Sequence, residues 1–136
     1  MSVLFGQEHV RRYRETDGAE GHIWREGSTI LLLTTTGRKT GEKSTTPLIY
    51  TLDGDDPVIV ASKGGAPEHP GWYRNLVKNP EVEVQIEGEK FRARARTAAG
   101  EERGRLWRQM NEMWPHYAEY QEKTDREIPV VVLERI

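Results

Sequence analysis

The stretch STILLLTTTGRKTGEKSTTPLIYTLDGDDPVIVAS, residues 28–62, decides the fold class. Ser28–Thr36 is β-branched and apolar and stops at Gly37, which reads as a buried strand. Ser44–Asp53 reads as a second strand, and Pro47, with no N–H to give to a ladder, places it at an edge or a bulge. Asp53-Gly54-Asp55 is turn chemistry, and Pro57–Ser62 is a third strand closed by Gly64-Gly65. Strands that succeed one another through turns imply hairpin pairing rather than a doubly wound sheet.

Outward from this stretch the pattern changes in both directions. Gly6–Asp17 is polar with Val10 and Tyr13 three apart, which predicts a short helix ending before Gly18 and turning its Arg11-Arg12-Tyr13-Arg14 cluster to solvent. Residues 1–20 are read as an N-terminal helical segment and residues 21–136 as the main domain. Gly18–Gly27 is turn-rich and carries Trp24. Toward the C-terminus, Pro70–Lys78 reads as a helix with Pro70 at its first position and Asn79-Pro80 as its stop. Val82, Val84 and Ile86 alternate with charged or polar residues, as do the residues of Phe91–Arg96 after Gly88, so the two runs form an antiparallel hairpin with Arg92, Arg94 and Arg96 on its wet face. Leu106, Trp107, Met110, Met113 and Trp114 make an apolar helical stripe over Gly100–Trp114. Pro115 interrupts it, Tyr117 and Tyr120 come next, and Ile128–Leu133 is a last strand. About six mostly antiparallel strands with a few short helices make an α+β domain, and such a sheet tends to close into a small barrel to remove its edges.

Bulk properties narrow the function. A chain of 136 residues is one domain that buries its core without disulfides or metals, and it has no cysteine. His9, His22, His69 and His116 form no ligand pair, so no metal is expected. A net charge of −2, from 20 basic and 22 acidic residues, gives no field for nucleic acid. Ile30–Leu33 and Pro129–Leu133 are too short to cross a bilayer, and Met1–Gln7 is too short for a signal peptide. These features imply a soluble cytoplasmic protein. Peripheral membrane contact through the N-terminal helix is weakly supported by its few apolar residues, and monomer and homodimer stay open.

Three segments carry chemistry. In Gly37-Arg38-Lys39-Thr40-Gly41-Glu42-Lys43-Ser44, two glycines permit a tight turn whose N–H groups converge on an anion, with Arg38, Lys39 and Lys43 adding charge. The same residues also make an ordinary solvated hairpin turn. It is not a Walker A loop: the glycines are too close together, and the segment from Thr45 to Tyr50 is built for a strand. Ser62-Lys63-Gly64-Gly65 lets a flat ligand approach the backbone, whereas Trp72 and Leu76 at i and i+4 read first as the core face of a helix. Trp114, Tyr117 and Tyr120 suit a planar acceptor and equally suit packing on the barrel.

These segments together resemble the deazaflavin-dependent nitroreductase family. The carriers are LLLTTTGRKTG (31–41), Pro47-Leu48, VASKGG (60–65), PGWYRNLVKNP (70–80), EER…LW (101–107) and Y-x-x-Y…TDREIPVVVLE (117–134). The resemblance implies a split β-barrel like the FMN-binding barrels, using coenzyme F420 to reduce nitroimidazoles, quinones or activated unsaturated lactones. It implies that Arg38, Lys39 and Thr40 hold the anionic tail of the cofactor. Thr45, Thr46, Pro47, Leu48, Val60, Ala61, Ser62, Lys63, Trp72, Tyr73, Asn75 and Tyr117 would bind the cofactor, with Tyr117 and Tyr120 at the acceptor side and Ser62, Tyr117 and Tyr120 as the catalytic set. The chain departs from the family at Ser44, where arginine is common, at Gly71, where a larger residue is, and at Ile49 and Trp114, where the nitroimidazole-activating member has tyrosines. Two alternatives remain: an FMN enzyme of the same barrel, and a non-catalytic F420 carrier.

Overall fold

The computed structural model describes residues 4–136; the reading of Met1–Gln7 falls partly on residues 1–3, which lie outside the described residues. The chain begins with α1 (Gly6–Thr16) and a short 3-10 turn, Arg25–Gly27. Four strands come next: β1 (Ile30–Thr36), β2 (Lys43–Ile49), β3 (Thr51–Asp53) and β4 (Asp56–Val60). A second 3-10 turn (Lys63–Gly65) leads to α2 (Gly71–Lys78) and the hairpin β5 (Glu81–Ile86)–β6 (Glu89–Thr97). The chain ends with α3 (Gly100–Met113), α4 (His116–Glu122) and β7 (Val130–Arg135). Among the described residues no helix is long and apolar enough to cross a membrane.

All seven strands join one antiparallel sheet in the order β2-β1-β5-β6-β7-β4-β3. Its two outermost strands, β2 and β3, are separated in the chain by Tyr50 alone. In a flat sheet they would stand about 29 Å apart at ~4.8 Å per strand, whereas one residue spans about 3.8 Å. The sheet therefore curls until its edges meet at Tyr50, and the result is a half-barrel. The Tyr50 N–H donates to the Thr29 carbonyl (3.1 Å), the Thr29 hydroxyl donates to the Tyr50 carbonyl (2.9 Å), and the Tyr50 hydroxyl meets His22 Nε2 at 2.9 Å. The run expected as one strand over Ser44–Asp53 is thus two, which accounts for seven strands rather than six. Pro47 does lie on an edge strand. The last strand starts two residues late because the Ile128 N–H is held by Gln121 Oε1 (2.9 Å).

Both faces of β1, β4 and β7 are buried, which is why their sequences are unbroken apolar runs, whereas β5 and β6 alternate. Leu31, Leu33, Ile59, Val131 and Leu133 point into the barrel, where Leu76 of α2 plugs one end. Their neighbours Val58, Val60, Val130 and Val132 pack outward under Leu106 and Met110 of α3, Trp114 at its end and Tyr117 of α4. On β1, Ile30 and Leu32 receive Val10 and Tyr13 of α1. Tyr13 therefore corrects the expectation of a solvent-facing Arg11–Arg14 cluster: it is fully buried. Its hydroxyl accepts from the Glu87 N–H (2.7 Å) and donates to the Ile30 carbonyl (3.0 Å), and burial pushes its pKa up to about 12. Arg11 and Arg12 stay at the surface in ion pairs with Glu8, Glu15 and Glu20.

Candidate functional site

A cavity of about 550 Å³ opens where α1, the β2 edge, the loop after β4, the start of α2, and α4 converge. Of the residues singled out from sequence, Thr46, Pro47 and Leu48 form its β2 wall and Val60, Ser62 and Lys63 its floor; Trp72 stands at the α2 side, Tyr117 and Tyr120 at the α4 side. Trp72 is half-buried: it lines the cavity and also packs on the barrel core. A larger groove, about 640 Å³, runs outside β1, β2, β5 and β6, but charged and polar side chains such as Arg14, Lys43, Glu83 and Lys90 provide much of its lining. The groove has Phe91 as its one aromatic, whereas the first cavity is walled by Trp24, Trp72, Trp114, Tyr117 and Tyr120, which suits a flat ring.

The α4 wall is built by contacts between aromatics. Trp114 stacks on Trp24 with centroids 5.8 Å apart, and Tyr117 meets Tyr120 edge-on at 6.1 Å. Trp114 Nε1 donates to the Tyr120 hydroxyl at 3.4 Å. Burial, with Tyr120 second, raises the Tyr117 pKa, so its phenol keeps its proton and remains a hydrogen-bond donor. Among the described residues neither the Tyr117 hydroxyl nor the Ser62 hydroxyl has a protein partner.

The floor loop is held from behind. Lys63, Gly64 and Gly65 all have positive φ (48°, 63° and 85°), a path that favours glycine. A Cβ on Gly64 would meet no atom within 4 Å, so the backbone there borders open space. Gly65 serves a different purpose from the one expected: a Cβ on it would lie 2.7 Å from the Tyr120 carbonyl, so it lets α4 dock on the loop. Arg126 fixes the loop with four hydrogen bonds, to the carbonyls of Ser62 (2.7 Å), Ala66 (2.9 Å) and Ala61 (3.2 Å) and to His69 Nδ1 (3.0 Å). Desolvation lowers the Arg126 pKa, and the same effect, with Arg126 and Arg74 adding to it, lowers that of His69.

The remaining sequence-selected residues stand behind or beside the cavity. Ala61 is fully buried under the floor. The Tyr73 hydroxyl turns to Thr97 Oγ1 (2.9 Å). Thr45 faces the outer groove, its hydroxyl bonded to Thr34 Oγ1 (2.7 Å) and to Arg14 (2.8 Å). Asn75 is buried and acts as a pin: its Oδ1 accepts from the Arg38 guanidinium (2.9 Å) and N–H (3.2 Å), and its Nδ2 donates to Thr35 Oγ1 (3.1 Å).

Arg38, Lys39 and Thr40 lie together in the β1–β2 turn. The Arg38 guanidinium reaches to 3.5 Å from the Gly71 carbonyl, between the cavity-wall residues Pro70 and Trp72 in sequence. Lys39 is exposed, and Lys78, unforeseen from sequence, donates to the Arg38 carbonyl (3.0 Å) and adds a third positive charge. Two expectations change. The Gly37 and Gly41 N–H groups bond within the turn, to the Glu42 carbonyl (2.7 Å) and the Gly37 carbonyl (3.0 Å), so neither is free to converge on an anion. Lys43 is paired with Glu83 at 2.8 Å and faces the outer groove. Sequence reasoning also missed a whole wall: Phe5 just before α1, Gly6 and His9 of α1, and Trp24 after it line the cavity. The isolated Trp24 in a turn-rich stretch was the one available signal.

Residues 5–135 match the family model of F420H(2)-dependent quinone reductases. An F420H(2)-dependent quinone reductase of Mycobacterium tuberculosis, Rv1261c, is 45% identical over 130 residues, 93% of this chain and 87% of that protein. Among solved structures, an F420-H2 dependent reductase, FDR-A, superposes with a TM-score of 0.72 at 47% identity over 77% of this chain and 93% of its own. A domain-swapped dimer superposes with a TM-score of 0.76 at 43% identity, over 94% of this chain and 96% of its own.

Proposed function

The chain belongs to the F420H(2)-dependent quinone reductase family, and from that membership we propose that its aromatic cavity binds F420 and brings a quinone-class acceptor to it. The protein is an oxidoreductase of the split-barrel type with F420 as its cofactor. F420 in its reduced form supplies a hydride when bound. The residues fit such a molecule: the cavity is flat-walled and aromatic, the backbone at Gly64 borders open space, and three cations flank the α2 end where an anionic tail needs them.

The observation that carries the reading is the Asn75–Arg38 pin. It holds a guanidinium beside the α2 wall of a largely apolar cavity, which suits a ligand with a flat ring at one end and negative charge at the other. In this reading Thr46, Pro47, Leu48, Val60, Ser62, Lys63 and Trp72 contact the deazaflavin, and Arg38 and Lys39 the tail. Tyr117 and Tyr120 orient the acceptor and exclude water. Ser62 and Tyr117 offer unpartnered hydroxyls to charge developing on it. Quinones lead the acceptors on the family's account. Nitroaromatics and activated enones are a second class for the same pocket, and Ile49 and Trp114 remove the phenols that a nitro group would meet there.

Titration of F420 fluorescence tests the reading. The parent protein is expected to quench it and to oxidise reduced F420 faster with menadione than with a nitroaromatic, while the Arg38→Gln/Lys39→Gln double variant loses affinity steeply, and more so at low salt. Absence of quenching with a yellow, FMN-loaded protein would refute it. Quenching without turnover would mark a carrier.

A further inference from the structure

His9 is 2% exposed, lines the cavity, and has no part in the reading above. Its Nε2 lies 2.8 Å from the Gly21 carbonyl. A carbonyl only accepts, so Nε2 carries a hydrogen. A Cβ on Gly21 would fall 2.9 Å from His9 Cδ2 and 3.0 Å from Nε2. The Cδ2–Nε2 edge of the imidazole therefore faces Gly21, and Nδ1 is the opposite vertex of the ring. Gly21, at φ +105°, supplies both the carbonyl and the space. The ring stands 6.2 Å from Trp24, which stacks on Trp114, so His9 extends the acceptor-side wall.

Resting on the quinone reductase reading, we propose that His9 is the proton donor to the acceptor oxygen, through Nδ1. The Gly21 bond holds Nε2–H in both charge states, so the proton free to leave is the one on Nδ1. A quinone that has accepted a hydride is a hydroquinone monoanion. His9 in its imidazolium form passes the Nδ1 proton to that oxygen, the N–H bond breaks as the O–H bond forms, and the neutral Nε2–H tautomer remains. Its Nδ1 lone pair then accepts a hydrogen bond from the new hydroxyl, and solvent returns the proton after product leaves. No electrons move in this step; both arrive with the hydride. Lys63 from the floor loop and Tyr117 and Tyr120 from α4 face the same cavity, and Tyr13 of the same helix lies on the far side against Gly21.

His9→Gln keeps a donor for Gly21 and removes the Nδ1 proton, and all four of those neighbours remain in it. In the parent, kcat/KM for menadione is expected to fall with rising pH, because only the doubly protonated ring can give up the Nδ1 proton. In His9→Gln that limb disappears and the low-pH rate drops roughly 100-fold, while F420 quenching persists. Independently of turnover, nitrogen NMR of the parent is expected to show the Nε2–H tautomer, and 1-naphthol, a phenol that cannot be reduced, to shift Nδ1 and leave Nε2 unmoved. An unchanged pH profile in His9→Gln, or an unmoved Nδ1, overturns the proposal while the functional reading stands. A parent that neither quenches F420 nor turns over menadione sinks that reading, and the donor role falls with it.

Discussion

Replacing Arg126 with methionine keeps the apolar stem and removes the guanidinium that holds the cavity floor. Four hydrogen bonds go with it, at 2.7, 2.9, 3.0 and 3.2 Å. A hydrogen bond to a charged group contributes about 1.5–3 kcal/mol when its partner is left buried and dry, and well under half of that where water replaces it. The loop spans exposed as well as buried residues, so about 3 kcal/mol of ordering free energy is lost from Ala61–His69. Binding a ring against Ser62, Lys63 and Gly64 must then supply that ordering, and about 3 kcal/mol corresponds to roughly 100-fold in affinity. Arg126→Lys keeps the charge, but one ammonium cannot reach acceptors spread over four residues, so about tenfold weakening is expected. F420 fluorescence titration measures both variants, and hydrogen exchange at residues 62–66 reports the loop without cofactor. Affinities within threefold of the parent, with exchange protection unchanged, would show that the loop is held by something other than this guanidinium.

Other predictions concern stability and pH. Tyr13→Phe leaves the Glu87 N–H without its acceptor and should cost about 1–3 kcal/mol, or ~3–10 °C in Tm for a chain of this size, by calorimetry; a shift below a degree would contradict the hydroxyl's role. His69 accepts from Arg126, and desolvation, then Arg126 and Arg74, holds its pKa below 6.5. A depressed folded-state pKa means the unfolded chain binds the proton more readily. The stability it contributes is complete above pH 6.5 and is lost as pH falls through the folded value, a loss that His69→Gln should abolish in urea midpoints measured across that range. His116 runs the other way. Glu26 and then Glu119 raise its pKa above 6.5, each carboxylate bonded to one ring nitrogen at 2.9 and 2.8 Å. Its contribution is complete below 6.5 and is lost as pH rises through the folded value. Tryptophan emission should track that loss, because Trp114 lies 4.7 Å from the imidazole, and should be flat in His116→Gln.

The strands were legible because their signal is local. β-branched runs, period-two alternation and glycine stops belong to each segment by itself, and β1, β4, β5, β6 and β7 are found close to where the pattern puts them. The curl of the sheet was not legible, because it depends on which strands end up outermost, and Tyr50 becomes a corner only once β2 and β3 are known to be the two edges. The site divides along the same line. Family motifs along β2, the floor loop and α4 point to residues that face the cavity, since each motif fixes its own backbone. Thr45 faces the outer groove while Thr46, Pro47 and Leu48 line the cavity, a division that the motif by itself does not show. What stayed hidden is the set of polar side chains that close the structure over long distances: Tyr13 on the Ile30 carbonyl, His9 on that of Gly21, Arg126 on those of Ala61, Ser62 and Ala66. Every residue carries a carbonyl, so an acceptor of this kind leaves no mark in the sequence. Only the donors do, and a donor alone reads as a surface residue until the fold shows what it reaches. Thus α1, whose composition suggested a solvated appendage, supplies through His9 and Tyr13 both a wall of the cavity and part of the core beneath it.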